Sequence, residues 1–271
     1  MPDHLLHAAV TVEQLWQPVP GGSGTYISEL TRALIGLVDV TGLAALHRSA
    51  PATVAPPSYP VRPLPLPRRL LYEAWQRTGL PLAEWAVPDC DVVHATTWAL
   101  PGTRRPLVVT VHDLAFRHEA AHFTAHGVRF FERALSRVAD RAAALIVPSE
   151  TVRSDCLDAG FEPERIHVVP HGGRPNTASA QDVAGFRRRA GLERPYLLWV
   201  GTREPRKNLT GVVEAYRSVA ERLGTDLVLA GPRGWGEDEV IESPGIRVLG
   251  RLDERDLAAL AKYLESLSEK P

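Results

Sequence analysis

The chain has 271 residues and a formal net charge of −1, with 31 Lys and Arg against 32 Asp and Glu. This balance provides no overall positive field for nucleic acid, so any anion site has to be local, and the length suits two domains. No apolar run approaches the roughly 20 residues that cross a bilayer, and the first ten residues lack the pattern of a signal peptide. Two distant cysteines fit a reducing compartment. We expect a cytoplasmic protein without nucleic-acid partners. Peripheral contact with the inner face of a membrane is an alternative that the sequence leaves open.

A glycine-rich segment follows the first predicted strand. Residues 5–12 are apolar, and the sequence PVPGGSGTY then leads at Tyr26 into a helix with one apolar face. Gly22, Ser23 and Gly24 suit a tight turn close to a ligand. Because position 27 is Ile, the dinucleotide-binding pattern GxGxxG is not met, and no P-loop Lys follows. Both ligand contact and a plain turn remain open here.

Two later strands each end in a histidine. Residues 91–94 and 107–112 are short apolar runs that end at His94 and His112. In a parallel sheet the carboxyl ends of the strands form the edge that faces ligands. Neighbouring histidines at that edge predict a site, whereas a single one is often structural. Between the proline-rich connection and these strands, residues 68–85 predict an amphipathic helix that is either half-buried or in contact with a membrane.

The sequence HEAAH matches the zinc-binding pattern HExxH. On a helix, this spacing places His118 and His122 on one face for zinc and Glu119 for general-base chemistry. The pattern follows only five residues after a strand end, without a long amphipathic helix before it. We therefore expect a surface turn in which the two imidazoles do not converge, and keep a zinc hydrolase as a minor alternative.

The strongest local pattern is YLLWVGTREPRKNLTG, residues 196–211. A buried strand, Tyr196–Val200, is followed by Arg203, Arg206 and Lys207, and then by helical spacing over Leu209–Leu223 with Asn208 as its cap. Cations beside a helix N-terminus at a strand end suit a phosphate or diphosphate, and a solvated basic turn is the alternative. Alternating strands and helices on either side of the polar segment 174–184 predict two doubly wound α/β domains, residues 1–178 and 179–271.

Together, the motifs resemble a retaining, family 4 glycosyltransferase of the GT-B fold, in which two Rossmann-like domains face a cleft. The resemblance spans residues 10–261, and its carriers are, in order, PGGSGTY, DVVHATTWALP, VVTVHDLAF, ALIVPSETVRSD, IHVVPHGG, YLLWVGTREPRKNL, LVLAGPRGW and GRLDERDLAAL. It implies transfer of a hexose, with mannose as the first guess, from a nucleotide-diphosphate sugar to a saccharide, lipid-linked or small-molecule acceptor. No metal or other cofactor is implied.

The resemblance also implies roles for individual residues. His112 is the expected catalytic residue, placed near the transferring sugar. The donor diphosphate is expected at Gly22, Ser23 and Gly24 and at Arg203, Arg206 and Lys207. Gly231, Gly250 and Arg251 are expected near the nucleotide base. His94 and Thr96 are candidates on the acceptor side.

The sequence departs from the family after GRLDERDLAALAKY. A Pro-Ser-x-x-Glu-Gly-x-Gly stretch and a second Glu, which hold the donor sugar and ribose in the family, do not follow. We therefore expect an incomplete second domain and little or no turnover by the chain as given. A non-catalytic module that binds a nucleotide or sugar phosphate is the principal alternative.

Overall fold

The computed structural model describes residues 5–51, 57–173, 175–234 and 243–268. The chain forms two compact units, which divide between Gly172 and Gly173. We call them the N-terminal and the C-terminal unit. This division lies six residues before the boundary expected from the sequence. The second half of the polar segment 174–184 is helical, because a helix with a complete capping box at Ser179 begins at Ala180.

The sheet of the N-terminal unit has seven parallel strands. They are β1 (His7–Thr11), β2 (Asp39–Ala44), β3 (Val61–Pro63), β4 (Val92–Ala95), β5 (Leu107–Thr110), β6 (Ala142–Val147) and β7 (Ile166–Val168). Their order across the sheet is β3-β2-β1-β4-β5-β6-β7, and every pairing is parallel. The order reverses between β1 and β4, which is where doubly wound sheets bind ligands. The predicted α/β class is confirmed.

Helices cover both faces of this sheet. They are α1 (Gly21–Ala33), α2 (Arg68–Thr78), the single-turn α3 (Ala115–His118), α4 (Ala125–Arg141) and α5 (Glu150–Asp158). Successive residues of β1 belong to different hydrophobic clusters, with Ala9 in one and Ala8 and Val10 in another. Since side chains alternate across a strand, the two clusters lie on opposite faces. Both faces are buried, as a parallel sheet requires.

The C-terminal unit has a smaller parallel sheet in its described residues. Three strands, β8 (Tyr196–Val200), β9 (Asp226–Ala230) and β10 (Ile246–Gly250), pair in the order β10-β9-β8. The helices are α6 (Ala180–Arg189), α7 (Leu209–Leu223) and α8 (Glu254–Ser268). The bounds of β8 and α7 are those predicted, because a buried aromatic strand and a 15-residue amphipathic helix are both strong patterns.

Two helix bounds differ from the sequence-based predictions. Helix α1 begins at Gly21, so Gly22, Ser23 and Gly24 form its first turn and not a loop before Tyr26. Gly24 is buried there, and a Cβ atom would lie 2.3 Å from the Cβ atom of Pro20. Helix α2 ends at Thr78 because Gly79 adopts a left-handed conformation with φ of 72°. Among the described residues, no helix has the length and apolar character that spanning a membrane requires.

Candidate functional site

Polar side chains from four strand ends and from α1 meet at the carboxyl edge of the N-terminal sheet. We call this set the rim cluster, and its members are Thr11, Tyr26, His94, Thr96, Thr110, His112 and His171. Thr11 ends β1, while His94 and Thr96 lie at and just after the end of β4, next to β1 in the sheet. The cluster therefore occupies the point where the strand order reverses, the standard ligand position of this architecture.

Thr110 is the hydrogen-bonding centre of the rim cluster. Its hydroxyl lies 2.8 Å from Nε2 of His94 and 2.9 Å from the hydroxyl of Tyr26. His94 is 8% exposed and Thr110 is 2% exposed, so water does not compete freely for these bonds. Burial, aided by the nearby His112, lowers the pKa of His94 from 6.5 to about 4. The imidazole of His94 is therefore neutral at pH 7.

His112 has a defined tautomer. Its Nε2 lies 3.1 Å from the carbonyl oxygen of Thr96, and a carbonyl only accepts, so Nε2 carries the hydrogen. Nδ1 is then the acceptor for the Nε2–H of His171, at 3.3 Å. Burial lowers the pKa of His112, the Thr96 carbonyl opposes that effect, and the charge of a protonated His171 would add to it. The result is a neutral imidazole with an acceptor nitrogen held in place.

Aromatic and threonine contacts fix the position of His112. The ring of Tyr26 lies 4.9 Å from the ring of His112, edge to face, and 4.9 Å from that of His171. Thr96 donates from its hydroxyl to the carbonyl of Thr11 at 2.6 Å and from its N–H to the Thr11 hydroxyl at 2.9 Å. The predicted residues His94 and Thr96 are thus buried parts of the rim cluster. Their contact with an acceptor stays a prediction.

Removing the Thr110 hydroxyl tests the rim cluster. In Thr110→Val both His94 and the Tyr26 hydroxyl lose a buried partner, and each unsatisfied group costs about 1–3 kcal/mol. We expect the free energy of unfolding, measured by urea denaturation, to fall by at least about 1 kcal/mol. The matched control is Thr25→Val, where the exposed hydroxyl makes only a 3.4 Å bond within α1. Equal stabilities of the two variants would contradict the assigned network.

The basic segment of the C-terminal unit lies between β8 and α7, as predicted. Pro205–Lys207 form one 3-10 turn, and Asn208 follows with φ of 46° as the N-cap of α7, its side chain accepting from the N–H of Gly211. Arg203 pairs through its backbone with Arg233, and Lys207 is exposed. The side chain of Arg206 lies outside the described part of the chain. A lysine is thus presented beside a helix N-terminus at a carboxyl strand end.

Glycines at the carboxyl ends of β9 and β10 allow neighbouring backbones to approach closely. Gly231 adopts φ of 140° and donates its N–H to the carbonyl of Gly250 at 2.7 Å. A Cβ atom on Gly231 would lie 1.9 Å from the carbonyl oxygen of Gly201. Gly250 has φ of 68° and open space around it, and exposed Arg251 follows. Gly231 has a structural requirement of its own, whether or not a nucleotide base lies near it.

We therefore expect Gly231→Ala to destabilise the C-terminal unit without any ligand present. The added methyl group meets backbone, which cannot rotate away, and overpacking of this kind costs roughly 1–3 kcal/mol. Thermal unfolding followed by circular dichroism measures the change. Gly173→Ala, at an exposed glycine with no atom near its Cβ position, is the control. If Gly231→Ala is as stable as that control, the ends of β8 and β9 move apart without cost and the close contact of Gly231 with Gly201 is not required.

The HEAAH sequence does not form the helix that a zinc protease needs. Helix α3 ends at His118, Glu119 has φ of −132°, and Ala120–His122 form a separate 3-10 turn. His118 instead lies 3.0 Å from a carboxylate oxygen of Asp155. Within residues 5–51, 57–173, 175–234 and 243–268, no three His, Cys, Asp or Glu side chains are grouped to hold a metal. The expectation of a short turn is confirmed.

A family model described as Glycosyltransferase Family 4 matches residues 20–175, more than half of the chain. The chain belongs to glycosyltransferase family 4. The matched region contains every member of the rim cluster except Thr11. The family resemblance stated from the motifs is therefore confirmed.

The chain is also similar to individual proteins. The O-antigen chain mannosyltransferase B of Escherichia coli is 26% identical over 206 residues, which cover 70% of this chain and 54% of that protein. The present chain thus matches about half the length of this curated relative. Anabaena HepE, crystallised with UDP-glucose, has 17% identity and a TM-score of 0.64 over 94% of this chain and 71% of its own. Sucrose-phosphate synthase from Thermosynechococcus elongatus has 15% identity and a TM-score of 0.67 over 94% and 73%. These two structures show the shared GT-B fold.

Sequence reasoning missed four of the seven members of the rim cluster of this family 4 chain, which are Thr11, Tyr26, Thr110 and His171. His171 follows the end of β7, and the rule that singled out His94 and His112, a histidine at the carboxyl end of a strand, would have found it. Tyr26 and Thr110 carried no such signal, since a helix Tyr and a strand Thr are ordinary residues.

A buried carboxylate was also missed. Glu13, 4% exposed, accepts from the N–H of Ala45 at 2.7 Å and lies 2.9 Å from Nε2 of His47, which stacks on Trp16. It follows β1, whereas Ala45 and His47 follow β2, so this pair also lies at the carboxyl edge of the sheet. The contact between Glu13 and His47 could not be predicted from their spacing in the sequence, because it arises only from the neighbouring positions of β1 and β2 in the sheet.

Proposed function

We propose that the chain transfers a hexose, with mannose as the first candidate, from a nucleotide-diphosphate sugar to a saccharide, lipid-linked or small-molecule acceptor with retention of configuration. The observation that carries the proposal is the neutral, oriented His112 of a family 4 chain, which bonds to Thr96 beside the strand-order reversal. The mannosyltransferase relative supports the sugar, and the UDP-glucose complex of HepE supports the donor class. No metal takes part in the proposed reaction, and the enzyme acts in the cytoplasm, in peripheral contact with a membrane where the acceptor is lipid-linked.

In this proposal His112 orients a hydroxyl group by accepting its hydrogen at Nδ1. The Thr96 carbonyl holds the other nitrogen, so the acceptor direction is fixed. His171, whose 3.3 Å bond to Nδ1 is long, is exposed and gives way to the sugar. Correct orientation of the reacting groups accounts for much of an enzyme's rate enhancement, since a misplacement of about 1 Å lowers the rate on the order of a hundredfold.

The C-terminal unit supplies the charge that the proposed donor needs. Lys207 and Arg206, with Arg203 on the same connection after β8, neutralise the diphosphate and the charge that grows on it as the glycosidic bond breaks. The nucleotide base is contacted by backbone groups of Gly231, Gly250 and Arg251. In the N-terminal unit, the first turn of α1, at Gly22–Gly24, has no side-chain cap. The N–H of Gly24 donates to the carbonyl of Pro20, and those of Gly22 and Ser23 suit a phosphate oxygen.

A panel of nucleotide sugars tests this function. At 100 times its dissociation constant, a bound donor stabilises the folded chain by roughly 2.7 kcal/mol, which thermal-shift measurements resolve easily. We expect GDP-mannose to stabilise the chain, with UDP-glucose and ADP-glucose as comparisons and free mannose as the negative control. If no nucleotide sugar of the panel raises the unfolding temperature, the proposed function is wrong.

A further inference from the structure

A cavity of about 640 Å³ lies at the edge of the N-terminal sheet opposite the rim cluster. Its lining includes Leu107, the first residue of β5, the segment before it from Leu100, the end of α2 with Gly79, and the last turns of α4 up to Arg141. These residues are at the amino ends of β5 and β6, whereas His112 follows the carboxyl end of β5. The volume falls within the roughly 300–1,000 Å³ usual for small-molecule sites.

The lining of this cavity is strongly basic. It contains one carboxylate, Asp140, and five arginines, which are Arg77, Arg104, Arg105, Arg137 and Arg141, and of these Arg77 is paired with Glu73 at 2.7 Å. The chain as a whole carries a net charge of −1, so this concentration of positive charge is local. Three different segments, α2, the connection before β5 and α4, contribute the arginines. The fold, and not a run of basic sequence, brings them together.

The two arginines of α4 hydrogen-bond to backbone carbonyl oxygens. Arg137 donates to the carbonyl of Gln76 at 3.4 Å, and Arg141 donates to the carbonyl of Thr103 at 2.8 Å. Both partners are neutral. Arg137 and Arg141 are four residues apart on α4, so their like charges lie on one face of the helix. Burial and the nearby Arg141 lower the pKa of the Arg137 guanidinium. Folding therefore brings the two guanidinium groups together, and a bound anion would offset the free-energy cost of their repulsion.

Glu84 fixes the connection that carries two of the exposed arginines. One of its oxygens accepts from the backbone N–H groups of Arg104 and Arg105, at 2.6 and 3.2 Å, and from the hydroxyl of Thr103 at 3.0 Å. These bonds lower the pKa of Glu84 against the effect of its partial burial. The backbone of the connection is thus held before any ligand arrives, which reduces the entropy that binding would lose.

We propose that this arginine cavity binds a phosphate group, at a site separate from the proposed transferase machinery. Guanidinium groups match phosphate oxygens with paired, charge-assisted N–H bonds, and several of them around one cavity favour a doubly charged tetrahedral anion. The phosphate belongs either to a small soluble molecule or to a lipid headgroup. The inference does not depend on the proposed function, because no residue of the rim cluster or of the basic segment after β8 contributes to it.

Calorimetric titration of the full chain with inorganic phosphate at low salt tests the site. We expect binding that Arg104→Gln/Arg105→Gln weakens at least about tenfold, since each hydrogen bond to a charged group is substantial. Both side chains are exposed, so this variant keeps the fold. Arg137→Gln/Arg141→Gln is a second variant with the same expected loss. The control is Arg129→Gln/Arg133→Gln, which removes two exposed charges from the same helix α4 and leaves phosphate affinity unchanged.

Sedimentation with phosphatidylcholine vesicles, with and without phosphatidylglycerol, distinguishes the two sources. Sedimentation that requires phosphatidylglycerol and both Arg104 and Arg105 assigns the phosphate to a lipid. Phosphate binding without such sedimentation assigns it to a soluble molecule. The proposal is overturned if neither probe binds, if the Arg129→Gln/Arg133→Gln control loses affinity equally, or if phosphate binding is lost in Lys207→Ala and kept in Arg104→Gln/Arg105→Gln.

Discussion

Lowering the pH from 7 to 4 is expected to reduce the free energy of unfolding by about 3 kcal/mol through His94 alone. In the unfolded chain this imidazole takes up a proton near its ordinary pKa of 6.5, whereas in the folded chain burial delays protonation to a pKa of about 4. Between these two pH values the unfolded state binds more protons than the folded state. The contribution of His94 to the free energy of unfolding is therefore complete above pH 6.5 and is lost as the pH falls towards 4. His112, whose pKa burial also lowers, acts in the same direction.

Urea denaturation at pH 7, 5 and 4 measures this effect, with His94→Gln as the test variant. Glutamine keeps a group that can bond to the Thr110 hydroxyl but takes up no proton. We expect the variant to lose clearly less stability than the parent between pH 7 and pH 4. His126→Gln, at an exposed position in the first turn of α4, should retain the parent's pH dependence. Parallel pH curves for the parent and His94→Gln would contradict the assigned state of His94.

Replacing Lys207 by alanine is expected to weaken binding of UDP or GDP by about 1.5–3 kcal/mol, roughly ten- to more than a hundredfold. The ammonium group lies on the connection between β8 and α7, where the helix N-terminus adds a favourable field for a diphosphate. The side chain is exposed, so its loss should leave the fold intact. Calorimetric titration with each nucleotide provides the measurement.

Lys262→Ala is the matched control for this prediction. It removes the same side chain from α8, where the ammonium group pairs with Glu265 at 2.6 Å. The control should bind nucleotide as the parent does. Equal affinities of the parent and Lys207→Ala would identify the basic segment as a solvated turn.

The elements of the C-terminal unit were predictable because their signals are local. Residues 196–200 are apolar and bounded by Pro195 and Gly201, and the spacing over residues 209–223 fits one helix face. Asn208 combines a capping side chain with tolerance of the left-handed conformation that it adopts. Each of these features depends on a few neighbouring residues, so a single sequence carries enough information.

Features that depend on strand order were not predictable from the sequence. Thr11 and Thr96 bond to each other across β1 and β4, which are separated in the chain by α1, β2, β3 and α2. The sequence indicated a histidine at each of two strand ends but not that Thr110 bonds to His94 and Tyr26. The start of α1 was misplaced because three glycines in four residues favour a loop, whereas Gly24 is needed for close packing on Pro20.

Hydrogen–deuterium exchange with and without a saturating nucleotide-diphosphate sugar tests the central claim most directly, because it reports where the donor binds as well as whether it binds. The account predicts slower exchange in residues 201–211, after β8, and around Gly250 and Arg251, with these changes reduced in Lys207→Ala at the same donor concentration. Protection confined to other parts of the chain, or none at a concentration where calorimetry shows saturation, would contradict the proposal that this family 4 chain holds its donor through the basic segment.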